Sequence, residues 1–121
     1  MSRDWTYYLD DIHIACEKVI RYTKGLDQKF FISDEKTYDA VVRNLEIVGE
    51  ASKQIPEEAR NSMQDIEWKK AAGLRDVLAH AYFGIDNDIL WDVIENKIPE
   101  LLEAIEQFKN NPILNNKGEV I

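Results

Sequence analysis

The stretch Trp5-Thr6-Tyr7-Tyr8-Leu9-Asp10-Asp11-Ile12-His13-Ile14-Ala15-Cys16-Glu17-Lys18-Val19-Ile20 decides the fold class of this 121-residue chain. Trp5, Tyr8, Leu9, Ile12, Cys16, Val19 and Ile20 recur at the three- and four-residue steps that gather apolar groups on one stripe of a helix. A half-buried strand would instead alternate them every second residue. Gly25 ends the segment. The same period returns after Ser33 and Asp34, either of which can cap a second helix, and places Tyr38, Val41, Val42, Leu45, Val48 and Gly49 on one face. A glycine inside a helix costs propensity, so Gly49 marks a point where another backbone packs close. Ile55-Pro56 ends that helix, and Pro56 suits the first position of a short turn.

Further along, a third helix runs from Ile66 through Trp68, Ala71, Ala72, Val77 and Leu78 to about residue 82, closing near Gly84. A fourth starts after Asp86, a candidate cap, with Ile89, Leu90, Val93 and Ile94 on its stripe. Pro99 kinks or breaks it, and Leu101, Leu102, Ile105 and Phe108 continue the pattern. Residues 111–121 read as a frayed tail. The expectation is a single all-α domain over residues 1–121, an antiparallel bundle of four to five helices.

Composition narrows the function classes. Hydrophobic residues make up 45% and charged residues 31%, the balance of a chain that folds around a core. No run approaches the ~20 apolar residues of a membrane span, the N-terminus lacks a signal peptide's apolar segment, and one cysteine forms no internal disulfide, so a cytoplasmic protein without membrane attachment is expected. The net charge of −8 argues against coating nucleic acid by bulk electrostatics. That charge is uneven: residues 61–85 carry three basic and three acidic groups, whereas residues 86–121 carry three and eight. An anionic ligand belongs near the neutral middle or the basic positions of the first half.

Several chemistries lack their parts. Two histidines and one cysteine give no zinc-finger spacing, and the acid-x-x-His pair at Asp10-Asp11-Ile12-His13 is half of what a di-iron bundle needs. No metal or other cofactor is expected. His13 reads as the edge of the first stripe and Cys16 as a buried small hydrophobe. The five glycines are scattered, which excludes a phosphate-cradling loop, and none of the four serines stands in a nucleophile elbow.

One segment does gather functional groups: Gly73-Leu74-Arg75-Asp76-Val77-Leu78-Ala79-His80-Ala81-Tyr82-Phe83-Gly84. A permanently charged fork, a carboxylate, an imidazole and a phenol can bind a phosphate and move a proton. Asp76 and His80 are four apart and share a helix face, so the carboxylate can orient the imidazole. Arg75 and His80 are five apart, about 140° around the axis, and do not. Either Arg75 reaches round, the helix distorts, or the working site combines two chains. From the residues alone, a surface ion pair with a helix-end histidine is the plainer reading.

Arg75-x-x-x-x-His80-x-Tyr82 resembles the R-x4-H-x-Y signature of HEPN-superfamily toxins, specifically the HepT-like family paired with minimal nucleotidyltransferases. Arg43-Asn44-Leu45-Glu46-Ile47-Val48-Gly49-Glu50-Ala51 and Trp68 precede the signature, and Tyr82-Phe83-Gly84-Ile85-Asp86 follows, so the likeness spans roughly residues 5 to 110. The resemblance implies a homodimeric HEPN-like helical bundle whose two motifs share a cleft, and a metal-independent endoribonuclease. It implies that His80 acts on the ribose 2′-OH, that Arg75 holds the scissile phosphate, and that Asp76 and Tyr82 support the site. It also implies an antitoxin partner, a nucleotidyltransferase that neutralises the toxin by adenylylating Tyr82. A nucleotide on Tyr82 adds bulk and negative charge where the RNA phosphate would sit. Two other readings stand beside this one: a non-catalytic HEPN module that docks a nucleotidyltransferase or nucleotide, favoured by the overall acidity and Asp76, and a purely structural helical dimer.

Overall fold

The structure, a computed structural model, describes residues 4–82 and 86–110, apart from the side chains of residues 80–82. Among the described residues eight α-helices follow one another: α1 Trp5–Thr23, α2 Gln28–Ser33, α3 Glu35–Lys53, α4 Glu57–Ser62, α5 Trp68–Ala72, α6 Leu74–Tyr82, α7 Asn87–Asp92 and α8 Ile98–Asn110, with a π-helical turn at Val93–Lys97 between the last two. Two of these are long single rods, α1 and α3. The other two rods of the bundle are composite, α5–α6 and α7–α8. The all-α antiparallel bundle expected from the periodicity is therefore present, with four main rods and two short connecting helices.

The predicted stripes face inward. Leu9, Ile12, Cys16 and Val19 of α1 are buried against Val41, Leu45 and Val48 of α3, and Ile98, Ile105 and Phe108 of α8 close the core. Burial pushes the Cys16 thiol up to about 12, with Glu17's charge adding to the effect, so this group behaves as a core hydrophobe. The antiparallel arrangement follows from which ends meet. Trp5 at the start of α1 lies 6.2 Å, ring centre to ring centre, from Phe108 near the end of α8. Arg75 at the start of α6 meets Glu50 near the end of α3, whereas Tyr38 near the start of α3 bonds Asn87, beyond the end of α6.

His13 sits at the stripe's edge, as its position suggested, and joins α1 to α8. Its Nδ1 is 2.7 Å from Lys109 Nζ, and because an ammonium only donates, that nitrogen accepts. The Nε2 then carries the proton and faces Glu17 and Glu106 at 3.5 and 3.6 Å, while Lys109 also pairs with Asp10 at 2.7 Å.

Four local details differ from the periodicity reading. The segment between Gly25 and Ser33 contains α2, started by Asp27, whose Oδ1 accepts from the Phe30 N–H at 2.8 Å; its Phe31 is buried beside Tyr38 and Trp91. Asp34 stands before α3 but does not cap its backbone: its own N–H still closes α2 on Phe30 O, and its carboxylate accepts from the Thr37 hydroxyl at 2.7 Å. Asp86 stands before α7 with no side-chain capping bond. The helix expected from 66 to 82 is broken at Gly73, whose N–H reaches both Lys69 O and Lys70 O and so ends α5. Pro99 does not break its helix. A proline has no N–H and its ring crowds the carbonyl four residues back, and here the preceding turn widens so that Ile98 N–H bonds Val93 O, five residues back. The expected tail at 111–121 lies outside the described residues.

Candidate active site

The signature segment occupies α6, and its position is set by α3. A Cβ placed on Gly49 would stand 3.6 Å from Leu74 Cβ, 3.7 Å from Ala71 O and 3.8 Å from Arg75 N. The backbone around the α5–α6 junction thus rests on the glycine that the sequence marked for a close approach. Leu74 and Leu78 are buried in the core, and this turns Arg75, Asp76 and Ala79 outward.

Arg75 is 73% exposed, and its Nη1 donates to Glu50 Oε1 at 3.2 Å. The same oxygen lies 3.6 Å from Lys53 Nζ. Pairs this exposed are worth about 0–1 kcal/mol, so Glu50 orients the guanidinium without locking it away from an anion. Among the described residues the bond to Glu50 engages one of the fork's five N–H donors, which leaves four for bidentate contact with a phosphate. Asp76 is exposed, with its N–H bonded to Gly73 O at 3.0 Å in the first turn of the helix.

His80 and Tyr82 lie on α6, but their side chains fall outside the described residues. The helix runs unbroken from Leu74 to Tyr82, so Arg75 does not share a stripe with position 80, whereas Asp76 does, one turn earlier. Position 82, seven residues after Arg75, returns to within about 20° of its direction. Within one chain α6 therefore brings together Asp76 with position 80, and sets Arg75 and position 82 on one side of the helix two turns apart, about 10.5 Å along the axis. It does not bring Arg75 together with His80.

A groove of about 530 Å³ runs beside Arg75 between α3 and α6. From α3 it receives Tyr38, Val42, Glu46 and Glu50, a ladder at four-residue steps, and from α6 it receives Arg75, Leu78 and Ala79. Tyr38 is held by Phe31, ring centres 5.2 Å apart, and donates from its hydroxyl to Asn87 Oδ1 at 3.3 Å. Burial, followed by Asp39's charge, raises its phenol above the ordinary value, which keeps it a neutral donor.

Glu50 and the groove were not found by sequence reasoning. The signal was present in part: Glu50 follows Gly49, and the neighbour of a close-packed glycine must border whatever packs there. Among the described residues no group of three or more His, Cys, Asp or Glu is arranged to hold a metal ion, and no helix is long and apolar enough to cross a membrane.

An all-α bundle that carries Arg75-x4-His80-x-Tyr82 on one helix defines the class as a HEPN domain. Comparison with known proteins gives the family. The profile described as "Ribonuclease HepT-like" matches residues 12–108, and the chain belongs to that HepT-like ribonuclease family. It is 40% identical over 109 residues to "Probable ribonuclease HepT" of Thermococcus cleftensis, covering 90% of this chain and 99% of that one. It is 40% identical over 106 residues to "Putative RNase MJ0127" of Methanocaldococcus jannaschii, covering 88% of each. A third relative, "Putative RNase TTE0752" of Caldanaerobacter subterraneus subsp. tengcongensis, is 41% identical over 100 residues, covering 83% of this chain and 89% of that one. No solved structure matches the chain significantly.

Proposed function

We propose that this chain is a metal-independent endoribonuclease, the toxin of a toxin–antitoxin pair, acting as a homodimer with Arg75 and His80 at a shared cleft. The observation that carries the reading is the complete Arg75, His80, Tyr82 series on one helix of a HepT-like ribonuclease family member, with Arg75 exposed and weakly held. RNA carries its own nucleophile. His80 removes the 2′-OH proton, the 2′-oxygen attacks phosphorus, the bond to the 5′-oxygen breaks, and that oxygen takes up a proton as it leaves. Arg75 grips the non-bridging oxygens while negative charge builds on the crowded phosphorus. The products are a 2′,3′-cyclic phosphate and a 5′-OH.

Two chains at one cleft answer the helix geometry, because Arg75 of one copy and His80 of the other need not share a stripe. Asp76, on the face of position 80, orients the imidazole. The antitoxin is a minimal nucleotidyltransferase that adenylylates Tyr82 and fills the phosphate site. The working location is the cytoplasm.

The test is incubation of the purified, unmodified protein with end-labelled RNA, with analysis of the new termini. Cyclic phosphate and 5′-OH ends support the reading, and 3′-OH ends with 5′-phosphate refute the 2′-OH mechanism. A second reading, a HEPN module that docks the nucleotidyltransferase and cleaves nothing, is favoured by Glu50 already occupying Arg75 and by the charge of Asp76. Stable complex formation without cleavage by the free protein would establish it.

A further inference from the structure

We infer that the α3–α6 groove beside Arg75 is the nucleoside subsite of the RNA substrate, and that Glu46 reads its base by accepting hydrogen bonds, which selects guanine. The inference rests on the ribonuclease reading above and adds to it a substrate preference and a residue.

The groove begins at the proposed phosphate anchor, and its size falls within the roughly 300–1,000 Å³ of small-ligand sites. Val42, Leu78 and Ala79 give it an apolar wall, and Tyr38 a ring already fixed by Phe31 and Asn87. Unpaired RNA bases are bound in this way, a flat face against apolar or aromatic groups and an edge on a hydrogen-bonding group. The two carboxylates on the α3 side are not equivalent. Glu50 is engaged by Arg75 and Lys53, whereas the Glu46 carboxylate, one turn earlier, is exposed and makes no bond among the described residues. An ionised carboxylate only accepts. Guanine presents two adjacent donors, N1–H and the 2-amino group, that match both oxygens of one carboxylate, while the other bases offer it a single donor position. Bidentate edge contacts discriminate by about 1–3 kcal/mol, roughly 5- to 150-fold.

The experiment uses four oligonucleotides of identical deoxy sequence with one ribonucleotide, rG, rA, rC or rU, so that 2′-OH attack occurs at one linkage. For the parent protein rG should be cleaved with at least about fivefold higher kcat/KM than the other three. In Glu46→Gln the ratio should fall to near one, whatever the removed charge does to all four rates together. Circular dichroism controls for folding, and Glu46→Asp should restore part of the ratio. Equal parental rates, or a guanine preference unchanged in Glu46→Gln, overturns the subsite. Binding of the four nucleoside 3′-monophosphates, whose phosphate stands where the scissile one does, followed by NMR line shifts of the same two proteins, separates this inference from the reading beneath it. A guanine preference that depends on Glu46 without cleavage retains the subsite and removes the ribonuclease, and neither cleavage nor preferential binding overturns both.

Discussion

Gly49→Ala should stabilise this protein, although Gly49 lies at the contact that positions Arg75. The new methyl would meet Leu74 Cβ at 3.6 Å, Ala71 O at 3.7 Å and Arg75 N at 3.8 Å, all ordinary van der Waals distances. Nothing has to move, so two favourable effects remain. Replacing glycine by alanine inside a helix is worth about 0.8–1 kcal/mol, and burying one more methyl adds up to about 0.8 kcal/mol. The expected gain is about 1 kcal/mol or slightly more, a rise in Tm of roughly 3–6 °C for a domain of this size. Gly49→Val extends the side chain one bond further, about 1.5 Å, into the α5–α6 junction. Overpacking of that kind costs about 1–3 kcal/mol, and it should displace Arg75 from Glu50 as well. Thermal and urea denaturation followed by circular dichroism measure both variants, and RNA cleavage reads the position of Arg75. If Gly49→Ala loses as much stability as Gly49→Val, the junction is tighter than these distances and the account of Gly49 is wrong.

His80→Ala should abolish RNA cleavage, a loss of ~100- to 10,000-fold, with the helical signal and oligomeric state retained; parental rates in this variant would end the ribonuclease assignment. Arg75→Lys should also fail substantially, because an ammonium cannot reproduce a two-point grip, and Asp76→Asn should do less harm or improve substrate binding; initial rates on one RNA rank the three. Cleavage should persist in EDTA, and loss restored by magnesium or manganese would mean that the chemistry is different. Sedimentation at micromolar concentration should give a dimer, and an active monomer would remove the two-chain cleft. Cys16, raised from 9.0 to about 12 in the fold by burial, should resist thiol reagents at pH 8 until the protein unfolds. Because its folded value lies above the unfolded one, the associated stability is present below pH 9 and is lost as pH rises toward 12; fast labelling of the native protein would contradict its burial.

Helix identity and the inward faces were legible in the linear chain because both are local. Apolar groups at three- and four-residue steps can be buried together only on a helix, so Leu9, Ile12, Cys16, Val19, Val41, Leu45 and Val48 announced the core that the fold contains. Arg75-x4-His80-x-Tyr82 was equally visible, since its spacing lies within one helix. Gly49 could be read as a contact point but not assigned its neighbour.

What lay beyond that reading depends on how helices meet. The pairing of Arg75 with Glu50 spans 25 residues, Tyr38 with Asn87 spans 49, and His13 with Lys109 spans 96. No periodicity encodes such pairs, because they follow from the crossing angle and relative height of two rods, which are set by the whole core at once. The break at Gly73 and the π turn before Pro99 have the same origin. Glycine and proline announced that something would give, but whether the chain kinked, split or widened was decided by which arrangement kept Leu74, Val93 and Ile98 buried. The local pattern thus settles which faces are apolar and which helix bears the signature, while packing settles which carboxylate stands beside Arg75 and what shape of groove opens next to it.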